Sequence, residues 1–231
     1  MEIFIDSASI TEIEKWLNMG VIDGVTTNPS IMLKDGVYNA EAGAKEIAAL
    51  VNPLPLSVGV TTNDLDEMMT QAREFASWAP NIVIKIPQIN QNGMPCYGVI
   101  SRLETEGIRV NATVALSLGQ AILAAKAGAT YVSIFAGRVS DEGGDAAQVI
   151  MDTAEWLERW NFKCKLIIGS IRSVGDVLSA ATAGAHIITI PPQFLGKMAD
   201  HKYTRETVRQ FVDDAKKALE MMKKARVGER V

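Results

Sequence analysis

Short runs of apolar, largely β-branched residues recur along the whole chain: EIFID, GVTTN, PLSVGV, NIVIKIP, IRVNATV, TYVSIFAG, KLIIGS and HIITIPP. Between most of them apolar residues return at spacings of three and four, as in LDEMMTQAREFASW, LGQAILAAKAG, AAQVIMDTAEWLERW and SVGDVLSAATAG, which is the spacing of one helix face. Strands apolar at nearly every position are buried on both faces, as in a parallel sheet covered by helices, and parallel neighbours require crossovers of this length. Eight unbroken β/α units predict an α/β fold closed as a TIM (β/α)8 barrel. A doubly wound open sheet is the rival, but no G-x-G-x-x-G turn follows the first strand and no midpoint marks a reversal of strand order.

The end of the chain departs from this pattern. Tyr203 through Arg226 reads as a long charged amphipathic helix, with Glu206 following Thr204 near its start and Val208, Phe211, Val212, Ala215, Ala218, Leu219 and Met222 along one side. It follows the eighth strand and a short PPQFLGKM helix. The barrel is therefore expected over residues 1–200 and a helical arm of the same domain over 201–231. The arm either closes the barrel bottom or packs on a neighbouring subunit.

At 231 residues, with 48% hydrophobic and 22% charged, the chain has material for one sizeable core and is neither disordered nor a disulfide scaffold. Lys+Arg 23 against Asp+Glu 27 gives a net charge of −4 with no basic block, so nucleic acid is not an expected partner. The opening MEIFIDSASI has no basic region followed by an apolar one, and no apolar run approaches the roughly 20 residues of a membrane span. Cys96 and Cys164 stand far apart without a C-x-x-C, which suits a reducing compartment, and the cytoplasm is expected. Only His186 and His201 exist, neither with a partner at ligand spacing, so no metal or other cofactor is expected. The DEGGD stretch from Asp141 to Asp145 lacks EF-hand spacing and reads as a turn into a helix, and no G-x-S-x-G precedes a helix.

In a parallel barrel the carboxyl ends of the strands carry the site, and side chains two apart on a strand face the same way. Lys85 in NIVIKIP shares parity with Val83 and Pro87, which sends it out or into the barrel mouth. Other strands end alike: Asp6 in EIFID, Thr26 and Asn28 in GVTTN, Asn111 and Thr113 in IRVNATV. Ser133 and Phe135 share a face in TYVSIFA, with Arg138 just after, and Ser170 and Arg172 close KLIIGS. Each such residue alone is commonly a turn former; their convergence around one lysine is a site pattern.

Desolvation lowers the pKa of a lysine in a crowded mouth, leaving neutral amine near neutral pH. Such an amine attacks a carbonyl carbon, and the iminium that forms accepts the electrons of a breaking carbon–carbon bond. The bland alternative is a Lys85 merely ion-paired with Asp6. Arg138, Ser170 and Arg172 suit a phosphate monoester, the alternative for either arginine being a pairing with the acids of DEGGD. A sugar phosphate satisfies both halves of the site.

FIDSASI, DGVTTNPSI, IVIKIP, NATVALSLGQAILAAKAGATYVS with the following GR, GSIRSV and GAHIITIPP resemble the small transaldolase family, which also contains the fructose-6-phosphate aldolases. The similar segments run from residue 3 to about 192. The resemblance implies a TIM barrel in which Lys85 forms a Schiff base with a ketose. It implies Asp6 as the acid near the substrate hydroxyls, with Thr26 and Asn28 on the same floor, and Asn111 and Ser133 holding a dihydroxyacetone portion. Thr113 matches the threonine that positions the catalytic water, and Arg138, Ser170 and Arg172 match a phosphate clamp. The family's trailing helix is exchanged between subunits, which implies a homo-oligomer, a pentamer or decamer.

Phe135 resembles the transaldolase choice, where the aldolases carry tyrosine, and Asn111 and Ser133 point the same way. Gly59, in PLSVGVTT, departs from both subfamilies, which carry glutamate or glutamine there. The leading expectation is a transferase moving a dihydroxyacetone unit from a ketose phosphate to an aldose phosphate. The alternatives are an aldolase releasing dihydroxyacetone, a transaldolase for a modified sugar, and a weakly active sugar-phosphate-binding homologue.

Overall fold

The computed structural model describes residues 1–228. Eight strands lie among them: β1 (Glu2–Asp6), β2 (Gly24–Thr26), β3 (Leu56–Gly59), β4 (Ile82–Pro87), β5 (Val110–Ala115), β6 (Tyr131–Phe135), β7 (Lys165–Gly169) and β8 (Ile187–Ile190). Each pairs in parallel with the next, and β8 pairs with β1, so the sheet is a closed TIM-type barrel in chain order. The crossovers are α1 (Ile10–Asn18), α2 (Pro29–Lys34), α3 (Ala40–Val51), α4 (Leu65–Ser77), α5 (Tyr97–Thr105), α6 (Leu118–Lys126), α7 (Ala136–Asp141), α8 (Ala146–Arg159) and α9 (Val174–Thr182). After β8 come α10 (Pro192–Ala199) and α11 (Lys202–Gly228).

Most of the crossover helices begin at a side chain that caps them. Ser9, Asn28, Asn39, Asp64, Ser117, Asp145 and Ser173 each accept a backbone N–H of the first helical turn, satisfying donors that would otherwise be orphaned. The DEGGD stretch accordingly ends α7 and starts α8, with Asp145 as the cap. Helix faces then cover the barrel: α8 turns Ile150, Thr153 and Leu157 inward at spacings of three and four.

Inside the barrel Phe4, Val83, Tyr131, Ile167 and Ile187 form one packed layer from five strands. The Phe4 and Tyr131 rings meet edge to face at 6.2 Å. Gly24 belongs to this layer by necessity, because a Cβ there would lie 2.7 Å from the Phe4 ring.

Two compact units divide the chain, the first being Met1–Pro192 and the second beginning at Gln193. Within the second, α11 exposes Val208, Phe211, Val212, Leu219 and Met222. Residues 229–231 of the arm expected over 201–231 lie outside the described residues.

Candidate active site

Two residues beyond Phe4, Val83, Tyr131, Ile167 and Ile187 on the same strands stand Asp6, Lys85, Ser133, Gly169 and Thr189. All five line one cleft of about 170 Å³, together with Thr26, Asn28, Phe135, Arg138 and Ser170. Strand parity alone therefore carries the chain from packed core to polar cleft.

Lys85 is 8% exposed, and its Nζ donates to the Thr27 carbonyl at 2.9 Å. Burial of the ammonium lowers its pKa, with the Asp6 carboxylate opposing. Asp6 Oδ1 accepts from Thr26 Oγ1 at 2.6 Å. Burial raises the Asp6 pKa, while Lys85 and the Thr26 hydroxyl pull it down. Each charge thus takes a neutral hydrogen-bond partner, and the two are coupled through space. That differs from a simple structural ion pair.

Asn28 spends its Oδ1 on the Ile31 N–H at 2.9 Å as the cap of α2, which leaves its amide NH2 to the cleft. Behind the cleft, Ser133 Oγ donates to Asn111 Oδ1 at 2.6 Å, and Asn111 Nδ2 donates to Ser57 Oγ at 3.3 Å, all three buried. Thr113 is buried with its Oγ1 unpartnered. The next residue, Val114, is at φ 59, where the β5–β6 register shifts, and is exposed between buried neighbours. Ser170 also stands at φ 59. Left-handed backbone at a non-glycine costs roughly 1–3 kcal/mol and concentrates at functional sites.

Arg138 reaches the cleft from the first turn of α7, which packs against the start of the β7–α9 turn because residue 137 is glycine. A Cβ at Gly137 would lie 2.8 Å from both Ser170 Oγ and Arg172 Nε. Arg172 itself does not line the lysine cleft. Its guanidinium forks onto the Asp141 carboxylate, Nη2 to Oδ2 at 2.5 Å, and it faces a neighbouring cleft with Ser140, Asp145 and Ser173. The fork holds the Asp141 carboxyl below its usual range.

Comparison with known proteins joins this geometry to a family. The sequence profile of the Transaldolase/Fructose-6-phosphate aldolase family matches residues 3–230. A probable transaldolase of Dehalococcoides mccartyi is 40% identical over 94% of this chain and 98% of its own length. One from Desulforudis audaxviator is 42% identical over 93% of this chain and 97% of its own. The chain belongs to the transaldolase/fructose-6-phosphate aldolase family.

It is an enzyme of the transaldolase family by the same comparisons. Solved structures add the fold alone. A mandelate oxidase with an FMN adduct superposes with a TM-score of 0.57 at 15% identity, over 83% of this chain and 64% of that one. A flavocytochrome b2 with sulfite bound gives 0.57 at 12% identity, over 83% of this chain and 56% of that one.

Against this family background the cleft holds eight of the residues singled out from the sequence: Asp6, Thr26, Asn28, Lys85, Ser133, Phe135, Arg138 and Ser170. Asn111 and Thr113 lie buried on β5, and Arg172 stands outside the cleft. Ser57, Gly169 and Thr189 do not stand out in the sequence. Thr189 follows Ile187 by two in HIITIPP and is the one polar residue of β8, a signal open to the parity test that singles out Lys85.

Proposed function

We propose that the chain is a class I aldol transferase that moves a dihydroxyacetone unit from a ketose phosphate to an aldose phosphate through a Schiff base on Lys85. The observation that carries this reading is a buried lysine, lowered in pKa by desolvation, in one cleft with an arginine and a single carboxylate. Neutral Lys85 Nζ adds to the ketose C2, and loss of water gives the iminium. Asp6 takes the proton of the C4 hydroxyl, the C3–C4 bond breaks toward the iminium nitrogen, and the aldose phosphate leaves. The enamine left on Lys85 then adds to the carbonyl carbon of the acceptor aldose phosphate, and water releases the new ketose.

Arg138 and Ser170 are the phosphate-binding groups of this reading, Arg172 being held by Asp141. Asn28, Asn111 and Ser133 hold the three-carbon unit and Thr113 orients water, with Thr26 fixing Asp6 and Phe135 walling the cleft. The exposed apolar side of α11 supports a homo-oligomer, proposed as a pentamer or decamer, and the cytoplasm is the proposed compartment.

Borohydride reduction with fructose 6-phosphate, followed by intact mass and peptide mapping, tests the central step. A stable adduct on Lys85 is the expected result; ketose binding without an adduct overturns the reading in favour of a sugar-phosphate binder. Retention of the three-carbon unit until an acceptor aldehyde is added marks a transferase. Its release without acceptor marks an aldolase.

A further inference from the structure

Thr26 Oγ1 stands between two oxygens, 2.6 Å from Asp6 Oδ1 and 2.5 Å from Thr189 Oγ1. A threonine hydroxyl carries one proton, and an ionised carboxylate only accepts. With Asp6 charged, the Thr26 proton therefore goes to Asp6, and the short contact to Thr189 is filled by the Thr189 proton. Protonation of Asp6 at Oδ1 reverses the order: Asp6 donates to Thr26, Thr26 donates to Thr189, and the Thr189 proton turns away from the chain. Thr189 is 6% exposed and lines the cleft, so that is the open side. Neither threonine gains or loses a proton in this reversal; both hydroxyls rotate.

We infer that Thr189 is a positioning residue for Asp6: by fixing the direction of the Thr26 hydroxyl, it links the protonation of Asp6 to whether Thr189 donates to or accepts from a bound sugar hydroxyl. The inference rests on the aldol reading above for its kinetic test. Thr26 on β2 supplies the hydroxyl that Asp6 accepts, and the charges acting on Asp6 are Lys85 on β4, Lys34 at the end of α2, and Asp35 just after it. Arg138 lines the same cleft. Polarisation along a hydroxyl chain favours the charged end, so losing Thr189 raises the Asp6 pKa.

Two variants separate the hydroxyl from the volume. Thr189→Val is expected to lower kcat roughly tenfold with KM within about twofold, while Thr189→Ser restores kcat to within about twofold. In a double-mutant cycle, an Asp6→Asn background should abolish the effect of Thr189→Val. A substrate-free measurement stands beside it. Because Thr189→Val raises the Asp6 pKa in the folded state, its Tm deficit should grow as pH rises through the Asp6 titration and should be flat with pH in Asp6→Asn. A deficit equal at every pH in both backgrounds overturns the inference, as does a kcat effect of Thr189→Val that persists undiminished in Asp6→Asn. Failure of Lys85 to form a borohydride adduct would instead sink the aldol reading, with the Tm comparison still deciding the role of Thr189.

Discussion

The barrel interior has two layers built by the same five strands, two residues apart, roughly 6.6 Å along each strand. Phe4, Val83, Tyr131, Ile167 and Ile187 make the lower one; Asp6, Lys85, Ser133, Gly169 and Thr189 belong to the upper. Burial is nearly complete for Val83 and Lys85 alike, yet it acts on them in opposite senses. For Val83 removal from water stabilises the fold. For Lys85, one step up the same strand, removal from water destabilises the ammonium and so makes a nucleophile. The lower layer fills the barrel beneath the upper one, and the upper layer keeps an amine away from the water that would hold it charged.

The widest gap between the layers should appear when one residue of each is truncated. Lys85→Ala is expected to lower turnover by roughly a thousandfold or more while the protein still folds. Ile167→Ala should cost about 2–5 kcal/mol of stability while leaving kcat per folded molecule within about threefold. Kinetics paired with denaturant unfolding measures both. In the parent protein kcat/KM should rise with pH as Lys85 loses its proton, with an inflection below the ordinary lysine range. If Ile167→Ala instead abolishes turnover in fully folded protein, the division between layers fails.

A second contrast lies on the rim, between two arginines that the sequence treats alike. Arg138 lines the lysine cleft, whereas Arg172 is forked onto Asp141. A charge-assisted hydrogen bond contributes about 1.5–3 kcal/mol, so Arg138→Ala should raise KM for a phosphorylated ketose roughly ten- to a hundredfold and leave the unphosphorylated sugar unaffected. Arg172→Ala should change it less than about fivefold. Equal effects would mean that Arg172 leaves Asp141 when the phosphate binds.

Some of this is legible in the sequence, and the rest is hidden for physical reasons. The barrel and the place of Lys85 are readable because a lysine in an apolar strand breaks a strong pattern, and parity then says where it points. Thr189 obeys the same parity but does not stand out, because threonine is an ordinary strand residue and its partner Thr26 is 163 positions away. The six-residue helices α2 and α7 are too short to show a period. For Arg172 the sequence leaves two readings open, a phosphate clamp and a pairing with the acids of DEGGD; the fork onto Asp141, 31 positions earlier, is the second of these, and no local pattern chooses between them. The left-handed Val114 is equally silent: a β-branched residue gives no sign of that backbone.

The smallest expected effect concerns the position where the upper layer has no side chain beside its lysine. Gly59 is paired in register with Lys85, and a Cβ there would meet only the Lys85 Cβ, at 3.9 Å. Gly59→Glu therefore starts without a clash at its Cβ, on the strand position paired with Lys85. Two consequences oppose each other. A second acid–base group should speed dehydration and cleavage once the sugar is bound, raising kcat by about tenfold, less than such groups contribute at their best. The same negative charge favours the ammonium, which raises the Lys85 pKa and moves the rise of kcat/KM to higher pH. Steady-state kinetics across pH should show both changes together. A raised kcat with an unmoved pH profile would mean that the new carboxylate turns away from Lys85, and a loss of ketose binding would mean that the space beside Gly59 belongs to the sugar.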